Sequence, residues 1–239
     1  MRKIKFLFVM LTMVSLVGCD MEDKKTIFSC YNKVNKDPND REFVDLGLPS
    51  GLKWATINLG ADYSQNINYS KFKMNVPQIY GGSYKWGSLI REGEYKKMDF
   101  DISGDSQYDA VRSEWGGDWR IPTVKELQEL VENCKWEYVK VEQCDDENVC
   151  GYKVIGPNGN SMFLPVGGVN FSRSGKVYSV SNVNGSGFYY CSTPVKVKSS
   201  SDGTIKDCVY GFSVDEKEHR VVILDELETK SFLIRPVKN

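Results

Sequence analysis

A single histidine, His219, stands among 239 residues, and no C-x-x-C pair occurs anywhere in the chain. One imidazole builds no Ser-His-Asp or Cys-His arrangement unless His219 serves, and nothing near it marks a nucleophile. The irregular cysteine spacing and lone histidine disfavour a zinc centre. A calcium loop of the D-x-D-x-D-G kind is also missing, and Asp99, Asp101 and Asp105 lie among Gly and Ser in what reads as a solvated loop. Basic clusters interleaved with aromatics are absent, so nothing favours nucleic acid, and Lys196 and Lys198 read as a solvated strand face. No internal repeat is visible, and no apolar run is long enough to cross a bilayer comfortably as a mature helix. The chain therefore reads as a non-enzyme with no catalytic residue, no metal and no cofactor.

What is present begins with an address. Arg2, Lys3 and Lys5 precede an apolar run starting at Phe6, the layout of a signal peptide over residues 1–18. The run ends in Leu16-Val17-Gly18-Cys19, which resembles the lipobox of bacterial lipoproteins. That resemblance implies a diacylated Cys19, bearing chains such as palmitate, as the new N-terminus and point of membrane contact. Each buried methylene adds about 0.8 kcal/mol of membrane affinity. Asp20, Glu22 and Asp23 follow, resembling the surface-export signal of lipoproteins in the Bacteroides group. An outer-membrane lipoprotein exposed at the cell surface is the expectation, with a periplasm-facing orientation as the alternative. The polar stretch up to Arg41, including Lys33, Asp37 and Asp40, reads as a flexible tether over residues 19–41.

The chain has 31 Lys plus Arg, three of them in the leader, against 32 Asp plus Glu, so the mature part is modestly acidic. Residues 42–239 suit one domain with a real core. Beyond Cys19 the cysteines are Cys30, Cys134, Cys144, Cys150, Cys191 and Cys208. Export permits disulfides, but sequence alone does not choose among the pairings. Cys144 and Cys150 flank an acidic hairpin tip, and Cys191 and Cys208 lie on two apparent strands, so both pairs are candidate disulfides. Cys134 reads as a buried thiol on a helix stripe.

The clearest scaffold lies between Tyr108 and Trp136. Ser106 is expected to cap a short helix bearing Tyr108, Val111 and Trp115, which stops at Gly116-Gly117, where positive φ is free. Thr123 and Glu126 have capping-box spacing, and Leu127, Leu130, Val131 and Cys134 repeat as one helical stripe. Around these two helices, within residues 106–135, short strands predominate. Phe43 to Leu48 and Leu52 to Leu59 make a hairpin anchored by Trp54; Tyr152 to Ile155 and Met162 to Val166 make another across Pro157-Asn158-Gly159-Asn160. Phe188 to Ser192, Val209 to Val214, Arg220 to Leu224 and Phe232 to Val237 are further strands. The fold class is α+β.

The words EFVDLGLPSGLKWATINLGA, YKWG, YDAVRSEWGGDWRIPTVKELQELVENCKW, GYKVIGPNGNSMFLPVGG, GFYYCSTP and FLIRPV resemble the Fibrobacter succinogenes major paralogous domain of Bacteroides-group lipoproteins. The likeness spans nearly all of residues 42–237. It departs at Tyr190 and Cys191, where that family carries tryptophan and serine. The WRIPT helix start also resembles the R-L-P-T helix of the formylglycine-generating fold. Together these imply a single C-type-lectin-like domain of twisted antiparallel sheets with its N- and C-terminal strands paired, Phe232 to Val237 closing against Phe43 to Asp45. Cys191 and Cys208 only superficially echo the copper-binding cysteines of formylglycine-generating enzymes.

Between Gly168 and Phe188 the segment NFSRSGKVYSVSNVNGSG suits exposed loops making adaptable polar contacts. Arg173, Tyr178, Asn182, Asn184 and Tyr189 are the candidate contact residues, for a glycan, peptide or protein ligand bound without catalysis. A structural role in a surface appendage is the alternative. The five tryptophans are assigned to the core.

Overall fold

Within the residues that the computed structural model describes (30–61, 80–91, 93–142, 148–173, 176–181 and 185–239), the chain opens with three short strands. These are β1 (Asn35–Lys36), β2 (Glu42–Asp45) and β3 (Lys53–Ala55). Helices α1 (Ala110–Trp115) and α2 (Val124–Asn133) come next. Strands then run to the C-terminus: β4 (Lys135–Glu142), β5 (Asn148–Ile155), β6 (Ser161–Pro165), β7 (Val169–Arg173) and β8 (Lys176–Ser181). The last five are β9 (Ser186–Lys198), β10 (Ile205–Asp215), β11 (His219–Leu224), β12 (Lys230–Ser231) and β13 (Val237–Lys238). They form antiparallel sheets ordered β1-β2-β3-β13, β4-β5-β6, β8-β7-β12 and β9-β10-β11. Helices confined to one segment among antiparallel sheets make the fold α+β.

Strand alternation divides most of the interior into two large cores, beside a smaller cluster of Cys30, Tyr80, Val139, Val149 and Phe163. Trp54, Tyr189 and Leu233 face one, with Leu127, Leu130 and Phe212; their chain neighbours Ala55, Tyr190 and Ile234 face the other, with Trp86, Trp115 and Trp119. Trp54, Trp86, Trp115 and Trp119 are buried, and Trp136 is partly buried at the edge of the first core. Arg235 crosses between layers, its guanidinium donating to the carbonyls of Ala55 and Phe163, each at 2.9 Å.

Local sequence explains the helices, with one change. Asp109, not Ser106, caps α1: its Oδ1 accepts from the N–H of Val111 at 2.8 Å and of Arg112 at 3.0 Å. Gly116 (φ 68°) and Gly117 (φ 55°) stop the helix as expected. The Thr123–Glu126 capping box is complete, and Arg120 clamps the Glu126 carboxylate at 2.6 and 2.8 Å.

Three boundaries move. The C-terminal strand closes against β3, not β2: Val237 pairs with Trp54, whose other neighbour is Val44. Upstream of it, Phe232 bonds reciprocally with Tyr84, and the Leu233 N–H donates to Phe188. The expected loops after Gly168 instead form a β7–β8 hairpin; Val169 and Phe171 alternate with polar residues in β7, and the β-branched Val177 and Val180 suit β8. The tether does not extend to Arg41. Cys30 is buried, the Tyr31 hydroxyl donates to the Thr56 carbonyl at 2.6 Å, and β1 pairs with β2. The Trp119 indole N–H also reaches the Asp37 carboxylate at 2.5 Å. A sequence too polar to fold alone is held here by partners far along the chain.

Candidate binding cleft

The face of the β9–β10–β11 sheet that turns away from the Trp54 core forms the floor of a cleft of about 820 Å³. Register places Phe188, Ser213 and Arg220 in one cross-strand row, with Gly211 opposite Val222 in the next. The reverse face carries Phe212, Val214 and Val221 into the core. The segment from Asp225 to Phe232 makes the opposing wall.

The floor is apolar at its base and charged at its rim. Phe188 and Val222 pack on the second core, while Arg220 pairs with Glu218 at 3.2 Å and Lys230 with Asp225 and Glu226 at 3.5 and 3.3 Å. Asp215 Oδ1 accepts from the N–H of Lys217 and Glu218, which holds the β10–β11 turn. Charged donors and acceptors thus surround an apolar base, the kind of arrangement that orients a ligand. The cleft's 820 Å³ lies within the range of small-ligand sites.

Behind the floor sits His219. Its ring stacks on Trp136 at 4.3 Å and meets Tyr152 edge-on at 5.4 Å, joining the β4–β5–β6 sheet to the β9–β10–β11 sheet. Burial lowers its pKa from the usual 6.5. In this joint the imidazole is an aromatic packing partner.

Of the expected contact residues, Tyr189 alone has a described side chain, and it does not face solvent. Tyr189 is buried at 2 % exposure; its phenol donates to the Pro165 carbonyl at 2.5 Å and accepts from Asn58, so it belongs to the core. Its neighbour Phe188 is the one that points to the cleft, one residue of strand phase away. Arg173 ends β7 and Tyr178 lies within β8; their backbones alone are described. Asn182 and Asn184 lie outside the described residues, as do Cys19 and Cys144, so the proposed Cys144–Cys150 bond and the lipidation site fall outside them too. The Cys191–Cys208 pairing gives way to two free thiols. Cys191 lies in a bulge of β9, where Cys191 to Thr193 oppose the single residue Tyr210, to whose carbonyl its thiol donates at 3.1 Å, while Cys208 pairs with Val195 further along the ladder. Burial pushes the Cys191 thiol up to about 12 and raises Cys208, which disfavours the thiolates that copper binding requires.

Ser213, Arg220 and Lys230 escaped the sequence reading. The available signal was the alternation in β10, where Gly211, Ser213 and Asp215 interleave with the core residues Phe212 and Val214. Among the described residues, no group of three His, Cys, Asp or Glu side chains is placed to hold a metal ion. No helix among them is long and apolar enough to cross a membrane. No family model, curated protein or solved structure matches the chain.

Proposed function

We propose that the protein is an outer-membrane lipoprotein, anchored through acyl chains on Cys19 and exposed at the surface, whose single C-type-lectin-like domain binds a glycan, peptide or protein partner without catalysis. The cleft above the Phe188–Ser213–Arg220 row carries the binding part of this reading: it joins an apolar base to rim charges. The architecture is supported by the two helices and the terminal strands sharing one sheet, and the anchor by the Leu16-Val17-Gly18-Cys19 word.

Two experiments test the proposal. Ser213→Trp places an indole in the middle of the floor; it is expected to abolish retention of ligands found on glycan and peptide arrays while leaving the thermal midpoint close to wild type. Array ligands that bind the variant as well as wild type would remove the cleft from the proposal. Cys19→Ser is expected to abolish acyl labelling and release the protein from membrane fractions; unchanged labelling would remove the anchor.

A further inference from the structure

The cleft does more than cover a sheet face; it wraps round the outer edge of β11. Successive strand side chains point to opposite faces, and Arg220, Val222 and Leu224 belong to the floor, yet Ile223 between them lines the cleft as well. Consecutive residues meet one space only where that space reaches the strand's own backbone. Among the described residues β11 has a strand neighbour on one side alone, β10. The Asp215 N–H donates to the Glu218 carbonyl, and register is unbroken from there to Val209–Leu224. Hydrogen-bonded and non-bonded pairs alternate along an antiparallel ladder, so Ser213–Arg220 and Gly211–Val222 exchange bonds. The N–H and C=O of Val221 and Ile223 therefore point outward, and Ile223 is 48 % exposed. The centre of this edge is little protected, since His219–Leu224 contains no proline or lysine, carries no bulge towards β10 and has its one fixed charge, Arg220, near its start.

Charge frames the edge. Three acids lie between residues 215 and 218 and three more between 225 and 228, against Lys217, Arg220 and Lys230. The strand ends are thus net acidic and its centre apolar.

We infer that β11 receives an extended peptide strand of a partner, apolar at its centre and basic at its ends, which pairs with the outward groups of Val221 and Ile223 and sets alternate side chains into the cleft. This rests on the binding reading above and narrows its ligand class. Main-chain bonds supply affinity, the acidic turns select basic flanks, and the Phe188–Val222 floor accepts the inward side chains.

The test is equilibrium binding of the mature chain to a synthetic peptide of alternating valine and threonine with lysines at both ends, beside the neutral sugar maltotriose. The peptide is expected to bind, and more weakly as salt rises. Ile223→Pro removes one outward donor without touching the β10 ladder and is expected to weaken binding roughly tenfold, the scale of one main-chain hydrogen bond, whereas Ile223→Thr keeps it. If the proline variant is misfolded by circular dichroism, the combined Glu216→Gln and Glu226→Gln variant decides instead: peptide affinity and salt dependence are expected to fall together. Wild-type peptide affinity in a folded proline variant, or in the glutamine variant, overturns the inference. Maltotriose binding without peptide binding overturns it but leaves the cleft a binding site. Binding of neither removes both, and self-association abolished by Ile223→Pro, without peptide binding, assigns the edge to a second copy and overturns the peptide.

Discussion

Asp109 is fully buried, yet it is among the most heavily bonded side chains in the fold. Oδ1 takes the two N-terminal donors of α1, while Oδ2 accepts from Gly104 at 2.7 Å and from Ile121 at 2.9 Å. Burial raises its pKa and the four N–H donors oppose that rise. Either orientation of an amide here aims N–H groups at two other N–H groups, so Asp109→Asn is expected to cost about as much as Asp109→Ala, about 3 kcal/mol. Urea unfolding measures both; an asparagine variant within a few tenths of a kcal/mol of wild type would contradict the acceptor role. Ser106 and Asp109 both suit a helix start by type, and what decides for Asp109 is that its second oxygen also takes the N–H of Gly104 and, twelve residues on, of Ile121. His219 offers a second residue-scale prediction. Its folded pKa lies below the unfolded 6.5, so the unfolded chain binds the proton first and stability falls as pH drops through 6.5 towards the folded value. The sole histidine gives one imidazole Hε1 resonance, expected to titrate below 6.5; a midpoint above it would show that nearby acids outweigh burial.

At the scale of elements, α2 was legible almost to its end because its signals lie within four residues of one another; Cys134, expected as a buried thiol on the stripe, is instead a half-buried, extended cap residue. Thr123 accepts from the Glu126 N–H, Glu126 returns to the Thr123 N–H, and the Leu127 and Leu130 stripe meets the core. Thr123→Ala is expected to cost about 1 kcal/mol by urea unfolding. Burial works to raise the Glu126 pKa, but the bonds from Arg120 and Thr123 prevail and hold it below 4.5. The stability this supplies is therefore present above pH 4.5 and lost as pH falls through the folded value. Glu126→Gln is expected to be less stable than wild type at pH 6, with the gap closing in acid; a gap independent of pH would assign the effect to packing. By contrast, the β7–β8 hairpin was read as loops. Its many Ser and Asn residues hide the alternation, and β12, which pairs with β7 at Lys230–Phe171, enters from far along the chain. The same phase ambiguity put Tyr189 on the surface. One residue decides the face of a strand, and in GFYYC several aromatic residues compete for each side.

For the whole molecule, the question is where the domain begins. Composition places the start at Glu42, since residues 30–41 contain Lys33, Lys36, Asp37 and Asp40 and bury little of their own. Their partners are remote: Tyr31 reaches Thr56, Ser161 donates to the Cys30 carbonyl, and Asp37 holds the Trp119 indole beside Trp115. The Asp37 carboxylate also accepts from the N–H of Asn39 and Arg41, so the segment folds around its contact with the α1 core. Arg41 in turn lies over the Trp115 ring at 4.5 Å. The segment thus acts as a strap across both cores, linking the β6 hairpin to the tryptophan cluster. Deleting it leaves Trp119 without its acceptor and opens apolar surface at Cys30. A protein starting at Glu42 is expected to be less stable than one starting at Cys30 by on the order of 3 kcal/mol, through one lost charged hydrogen bond and the exposed apolar area. Asp37→Ala within the longer protein isolates the indole contact and is expected to account for about half of that loss. Equal unfolding midpoints for the two starting points would return residues 30–41 to the tether and place the mechanical boundary at Glu42, twelve residues closer to the cores than the contacts of Tyr31 and Asp37 require.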